Sequence, residues 1–277
     1  MKPKTLQIVK SSGEKVLFSQ TKLRKSLARS GADKNTIDEI INKLNDELYQ
    51  GISTKEIYNR AFALLKKEKT IYASKYKLKK AIYELGPTGF PFEKFIAALL
   101  QYSGYKVETG KIMQGKCVSH EIDVVAKKNE QYIVAECKFH SDKSSTCNVK
   151  VPLYIHSRFK DITENKQHKD ILPNQGWVVT NTRFTKDAIT YGNCVGLYLL
   201  SWDYPKKNSL KDRIDRLGLY PITVSTLLTK REKEFLLSRD IVLARQLEQD
   251  DFYLDHLGIS EMRKRRILLE IKTLCKK

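Results

Sequence analysis

Apolar residues recur along this chain with two different periods, and the changes of period mark its parts. The opening T-L-Q-I-V-K-S-S-G-E-K-V-L-F-S alternates around a Ser-Ser-Gly turn and predicts two short strands. Helical spacing then runs through 20–30, 34–49, 54–67 and about 70–85, with Asp33, Ser53 and Thr54 as N-cap candidates. Gly86-Pro87-Thr88-Gly89-Phe90-Pro91 breaks the pattern twice. Beyond it Phe92, Phe95, Ile96, Leu99 and Leu100 form one helical stripe, stopped at Gly104 before a strand. Two apolar runs, 122–126 and 132–135, flank K-K-N-E-Q and predict two strands joined at Asn129-Glu130. A helix opening at Val151, a strand from Gln175, a helix over 185–191 and a last strand from Val195 follow. From Lys206 a basic linker leads into amphipathic helices, one through 227–247 and one through 254–275.

These shifts divide the chain into 1–88, 89–205 and 206–277. The expected class is multi-domain α/β: a small β-hairpin with helices, then an α/β/α core on a mixed sheet, then a helical tail. At 277 residues there is room for at least one sizeable core. Fifty-one Lys and Arg against 32 Asp and Glu give a formal charge of +19, which calls for a polyanionic partner. No run of 18 apolar residues is present, and M-K-P-K-T-L-Q-I-V-K has no apolar signal core. A cytoplasmic protein that meets nucleic acid and no membrane is therefore expected. Five scattered cysteines without a CxxC pair fit a reducing compartment with neither disulfides nor a zinc site.

Into the apolar hairpin the sequence sets Asp123, Glu136 and Lys138. With the turn at Asn129-Glu130, Asp123 lies across from Glu136, their Cβ atoms roughly 5 Å apart. Alternation sends Glu136 and Lys138 one way and Cys137 the other. Carboxylates that close repel unless a cation or a proton sits between them. A divalent ion takes such oxygens together with water and phosphate oxygens, eases deprotonation of water and stabilises charge on a phosphodiester. Lys138 would hold or deprotonate the water, or offset phosphate charge. In a chain that is 30% charged the same string also arises in an ordinary hairpin.

Asp123…Glu136-Cys137-Lys138 resembles the PD-(D/E)xK nuclease core, and more closely the Mrr-type restriction endonucleases, whose α-β-β-β order the surrounding elements share. The resemblance implies a DNA endonuclease using Mg²⁺ or Mn²⁺, with a restriction or phage-defence role. The metal would be held by Asp123, Glu136 and the Cys137 backbone carbonyl. Phe92-Glu93 matches the pair that supplies a further acid in that family; alternatively Glu93 complements the positive helix N-terminus. His120 and His140 bracket the motif, either meeting phosphate or water or lying on the surface. The polar S-D-K-S-S-T-C-N after His140 reads as a mobile loop, and Tyr154, His156 and Arg158 on the next helix are candidates to meet substrate. G110-K-I-M-Q-G115-K116-C117 nearly spells a P-loop, but Cys117 lacks the metal-binding hydroxyl and a strand follows, so it reads as a glycine-rich loop between strands.

The segment before residue 88 resembles the ATP cone, the regulatory domain of ribonucleotide reductases and of a nucleotide-responsive repressor. The carriers are I8-V-K-S-S-G13, Phe18, Lys22-Leu23, G-I-S-T-K-E-I at 51–57 and Y72-A-S-K-Y-K-L. ATP or dATP is thereby implied as an allosteric effector. Lys10 and Lys22 would neutralise phosphates, Gly13 would allow close backbone approach, Ile8, Val9 and Leu23 would flank adenine, and Thr54 would meet a phosphate or the base. Ser11 stands where the family has Arg, and Val16 where an acid is common. The alternative is a helical domain whose lysines coat its surface. In the tail, L-G-I-S before a basic helix resembles half of a helix-hairpin-helix, with Arg263, Lys264, Arg265 and Arg266 as DNA contacts; an oligomerisation tail is the equal alternative. The expected protein is a nucleotide-regulated, metal-dependent DNA endonuclease acting as a homo-oligomer. Its rivals are a non-catalytic DNA-binding regulator and a structure-specific resolvase or RNA nuclease.

Overall fold

The computed structural model describes residues 6–165 and 172–276. Strands β1 (Gln7–Val9) and β2 (Lys15–Leu17) pair antiparallel and lead into α1 (Gln20–Ala28), α2 (Lys34–Glu47), α3 (Thr54–Glu68), α4 (Thr70–Tyr76) and α5 (Leu78–Tyr83). Ser19, Asp33 and Ser53 cap the first three helices, each accepting from the N–H three residues on. Leu23, Leu27, Ile40, Ile41, Leu44, Ile52, Ala61 and Leu65 close their core. The helix expected over 70–85 is two helices, divided at Lys77, and the two serve different cores. Ala73 of α4 belongs to the N-terminal core, whereas Leu78, Ala81 and Ile82 of α5 join the core of the rest of the chain.

The central unit begins with α6 (Phe90–Gln101) and continues through β3 (Lys106–Gln114), β4 (Ser119–Lys128), β5 (Gln131–Lys138), α7 (Lys150–Thr163), β6 (Gln175–Thr180), α8 (Lys186–Cys194) and β7 (Tyr198–Leu200). Its sheet has the order β3-β4-β5-β6-β7, antiparallel from β3 to β5 and parallel from β5 to β7. Ile133, Ala135, Cys137, Trp177 and Val179 pack with α6 on one face, and Val134 and Val178 lie with the side chains of α7 and α8 on the other. This is the α/β/α sandwich on a mixed sheet. The expected glycine-rich loop at 110–117 is instead mostly strand, since β3 runs through Gly110 to Gln114. Only 115–118 turn, and Asp161 clamps that turn by accepting from the N–H groups of Cys117 and Val118. A Cβ on Gly115 would lie 2.0 Å from Asp161 Oδ2, so glycine is needed there for close approach.

The C-terminal unit comprises α9 (Leu210–Leu217), a 3-10 turn (Ile222–Val224), α10 (Lys230–Ser238), α11 (Gln246–Gln249), α12 (Phe252–His256) and α13 (Glu261–Cys275). The single helix expected over 227–247 is not formed. α10 stops at Ser238, Asp240 takes a left-handed φ of 59°, and Val242 and Ala244 bond to the backbone at Ile222 and Tyr220. Burial of Val242, Leu243 and Ala244 in the shared core outweighs helical propensity there. Among the described residues no helix is long and apolar enough to cross a membrane.

One buried carboxylate ties the N- and C-terminal units together. Glu270 of α13 accepts from the Ser74 hydroxyl of α4 at 2.7 Å, the Ser225 hydroxyl at 2.6 Å, and the Thr226 hydroxyl and N–H at 2.9 and 3.0 Å. Replacing Glu270 by Ala leaves the buried Ser225 hydroxyl and the half-buried Thr226 donors without this acceptor, and Ser74 with only the Thr70 carbonyl. A loss of about 3 kcal/mol is expected, read from the midpoint of denaturant unfolding.

Candidate active site and nucleotide cavity

Lys128 pairs with Gln131 and Val124 with Ala135, so the two-residue turn sits at Asn129-Glu130 and the register carries Asp123 opposite Glu136 at the end of the ladder. Asn129 adopts the left-handed φ of 51° that such tight turns use. Asp123 Oδ2 accepts from the Cys137 N–H at 2.7 Å. Burial raises the carboxyl pKa of both Asp123 and Glu136; Asp123 pushes Glu136 further up, while Arg158 opposes the rise in each. Glu93, arriving from the first turn of α6, is pushed up to about 7 by burial and then by Asp123, Glu136 and Glu121. Three carboxylates from α6, β4 and β5 therefore share one field. Lys138 leaves β5 exposed to solvent beside them, while the Cys137 side chain is buried toward α6.

Arg158 of α7 reaches into this cluster, its Nη1 2.6 Å from Glu136 Oε2 and its Nη2 donating to the Glu121 carbonyl. Its side chain is only 12% exposed, so in this structure it is committed to the acids and not turned outward. The backbone N–H and carbonyl of His140 are both held by the Asn181 side chain, at 2.9 and 2.8 Å. Its Nε2 is buried without a partner, and burial followed by Lys138 lowers its pKa. His120 pairs with Asp161 at 2.8 Å, which pulls that carboxyl down to about 2. His156 bonds the Tyr191 hydroxyl, while Tyr154 stays 60% exposed. The loop after His140 is pinned at its far end, where the Cys147 N–H and carbonyl both bond the Arg183–Thr185 backbone.

Sequence reasoning passed over Asn181, Asp161 and the partner of Arg158. Asn181 had a signal in the polar exit of an apolar strand. The other two arise from α7 crossing the sheet, which no spacing shows. The 86–91 segment, expected as a short, stiff connector able to transmit a conformational change, touches the site: a Cβ on Gly86 would lie 2.6 Å from the Phe139 ring, and one on Gly89 3.2 Å from Glu93 Oε1.

A second cavity, of about 270 Å³, opens in the N-terminal unit, and Ile8, Lys10, Lys22, Leu23 and Thr54 all line it. Val9 and Gly13 do not. Val9 is engaged through its backbone N–H with the Ile52 carbonyl, and Gly13 forms the hairpin turn with φ 82°. Val16, Leu17, Phe18, Ser19, Ile57, Tyr58 and Tyr76 complete the wall, the two tyrosine rings stacked at 5.1 Å.

The family model of the ATP cone domain matches residues 6–84, and that of the restriction endonuclease domain of Mrr type matches 87–201. The chain is an ATP cone fused to an Mrr-type restriction-endonuclease domain. Residues 220–275 match the family described as AF1548-like, C-terminal. An uncharacterized protein of Archaeoglobus fulgidus is 33% identical over 178 residues, covering 64% of this chain and 98% of its own length. The crystal structure of the protein of unknown function AF1548 aligns with a TM-score of 0.55 at 31% identity, over 68% of this chain and 98% of that one. The chain thus belongs with the AF1548-like proteins. The MspJI restriction endonuclease in complex with a 27-mer oligonucleotide aligns at a TM-score of 0.37 and 12% identity, over 61% of this chain and 36% of that one, too distant to carry an argument.

Behind the Mrr domain, the basic run of α13 is divided by its neighbours. Arg263 grips Glu232 with both nitrogens, at 2.5 and 2.7 Å, and Lys264 is 12% exposed between Asp251 and Asp255. Arg265 and Arg266 remain exposed, and Arg266 lines a groove against Lys69 and Thr70 of the ATP cone.

The acid cluster has a pH signature in the metal-free protein. The Glu93 pKa rises from 4.5 to about 7 on folding, so the folded state holds its proton more tightly. That contribution is complete below pH 4.5 and is lost as pH climbs through 7. With a chelator present, the melting temperature of wild type relative to Glu93→Gln is expected to fall between pH 5 and about 7.

Proposed function

We propose that the protein is a metal-dependent DNA endonuclease whose activity is set by an adenine nucleotide bound to the ATP cone. The observation that carries the nuclease reading is the convergence of Glu93, Asp123 and Glu136 on one field, with Lys138 at the end of the strand that bears Glu136. The donors are all oxygen and crowd negative charge, which fits Mg²⁺ or Mn²⁺. Among the described residues no three His, Cys, Asp or Glu side chains are grouped as a ready-made metal site; Mg²⁺ commonly needs only one or two carboxylates with waters and substrate oxygens. Asp123, Glu136 and the Cys137 carbonyl would hold the ion; when bound it would lower the pKa of a ligated water and offset phosphate charge.

The side chains of this chain then have distinct tasks. Lys138 orients the attacking water and stabilises negative charge gathering on the phosphoryl oxygens. Water adds its oxygen to phosphorus, the P–O bond to the leaving sugar oxygen breaks, and the proton lost by water is matched by one gained at that oxygen. Glu93, beside Asp123 and Glu136, supports the ion site as a further acid. Arg158 screens Glu136, and the exposed Arg265 and Arg266 add contacts to backbone phosphates, so that binding is salt-sensitive.

Regulation has a physical route. The ATP cone ends in α5, which packs in the Mrr-side core, and the following Gly86 lies against Phe139, one residue beyond Lys138. ATP or dATP in the cone cavity would set the position of this connector, acting as effector and not as fuel.

Plasmid cleavage by the purified protein in Mg²⁺ or Mn²⁺, with and without ATP or dATP, tests the reading. Asp123→Ala and Lys138→Ala are each expected to lower the rate by at least ~100-fold while DNA binding persists. Equal inertness of wild type and both variants on duplex, branched DNA and RNA, with DNA still bound, would replace the nuclease by a DNA-binding regulator. In the cone, Lys22→Ala is expected to weaken ATP binding ~10-fold or more by calorimetry, as loss of a charge-assisted phosphate contact.

A further inference from the structure

Between the ATP cone and the C-terminal unit lies a cavity that neither the nuclease reading nor the cone cavity accounts for. It holds about 360 Å³ and is lined by Tyr58, Asn59, Phe62 and Lys66 of α3, by Lys77 and Lys80, by Ser225 and Thr226, and by Lys233 of α10. Four lysines and no carboxylate line it. The acids nearest at hand are already engaged. Glu84 pairs with Lys77 at 2.8 Å and lies 3.8 Å from Lys80, and Glu270 is saturated by Ser74, Ser225 and Thr226. Among the described residues Lys66 and Lys233 form no ion pair with a carboxylate.

Such a gathering of ammonium groups is unfavourable by itself. Lys233 is half-buried, and burial together with Lys77 lowers its pKa. Lys77, 10% exposed at its side chain, is already fixed by the Thr223 carbonyl and Glu84, so it cannot swing away. An anion entering the cavity would meet charge that the fold has already desolvated and oriented. Small-ligand sites typically hold about 300–1,000 Å³, a range this cavity meets and a nucleic-acid duplex far exceeds. On one wall the rings of Tyr58 and Phe62 lie stacked at 6.2 Å, and the Tyr58 hydroxyl is buried without a hydrogen-bond partner.

We propose that this cavity is a second anion site, taking a di- or triphosphate chain that bridges α3 and α5 of the ATP cone to α10. Its occupant joins the two units across the same junction that Glu270 clasps, so occupancy stiffens the cone against the rest of the chain. The site is separate from the cone cavity, with which it shares only Tyr58. It stands whether or not the Mrr domain cuts DNA.

Calorimetric titration of the full chain with inorganic tripolyphosphate, in about 0.15 M salt so that loosely held charge is screened, tests it. One site is expected in wild type. Lys233→Met and Lys66→Ala should each weaken it at least 10-fold, and Lys10→Ala/Lys22→Ala should leave it unchanged. Lys66 is exposed, and removing the crowded Lys233 charge should leave the unliganded melting temperature equal or higher, so a loss of binding would not reflect misfolding. ATP displacing tripolyphosphate from the Lys10→Ala/Lys22→Ala protein would identify a nucleotide-borne chain, and no displacement an inorganic one; either outcome upholds the site. The proposal falls if wild type binds no tripolyphosphate at millimolar concentration, or if binding survives both pocket variants but is lost in Lys10→Ala/Lys22→Ala.

Discussion

The pairing of β4 with β5 is the constraint on which the acid cluster depends. Side chains alternate along a strand, so a slip of one residue would exchange the buried set Ile133, Ala135 and Cys137 with Val134, Glu136 and Lys138. Carboxylate and ammonium would then point into the apolar layer under α6. The slip is blocked on both sides of β5. A two-residue turn fixes its start against β4, and a parallel ladder sets Glu136 beside Val178 and Lys138 beside Thr180. With β5 central in the sheet, Asp123 and Glu136 must face one another, whatever that costs in repulsion.

The cost is met by polar groups placed at junctions. Arg158 comes from the helix crossing over the sheet and screens Glu136. Asp161, one turn further along the same helix, holds the β3–β4 turn, and Asn181 fastens the backbone where β5 ends. Glu270 does the same work between units. These partners are buried or mostly buried and are satisfied on several sides, which separates them from the exposed Lys and Glu pairs of the surface, whose net worth is small. The same arrangement gives the ATP cone two attachments to the rest of the chain: the Glu270 clasp and α5, whose apolar face lies in the Mrr-side core. Movement of the cone would therefore reach the Phe139 ring through Gly86 without a long relay.

The formal charge of +19 is unevenly spent. Arg263 and Lys264 look like the start of a nucleic-acid patch in the sequence, yet they are bound by Glu232, Asp251 and Asp255 from segments up to 31 residues away. Lys233 carries no such mark in sequence and ends up in a cavity with three other lysines. Net charge reports what class of partner a protein meets; which cations remain available to meet it is decided by the acids that the fold brings beside them.

Local chemistry was legible along the chain. The hairpin and its turn at Asn129-Glu130, the α6 stripe, the caps at Asp33 and Ser53, and the α/β/α order follow from periods of two and 3.6 residues and from turn residues, which act over a few positions. The five cone residues that line one cavity were named by a family resemblance carried on short motifs. Long-range packing was not legible. Two helices were read as one at 70–85 because Leu78 and Ile82 continue the apolar period while facing a different core, and the helix over 227–247 dissolved because Val242 and Leu243 are better buried in extended form against Tyr220 and Ile222. The sequence by itself determined the hairpin register, the acid-bearing strands and those elements whose apolar period serves a single core, since these rest on neighbours in the chain. The tertiary structure alone decided the partners of Arg158 and Glu270 and the lysine-lined cavity, because each requires side chains from distant segments to be buried together, and burial belongs to the whole fold.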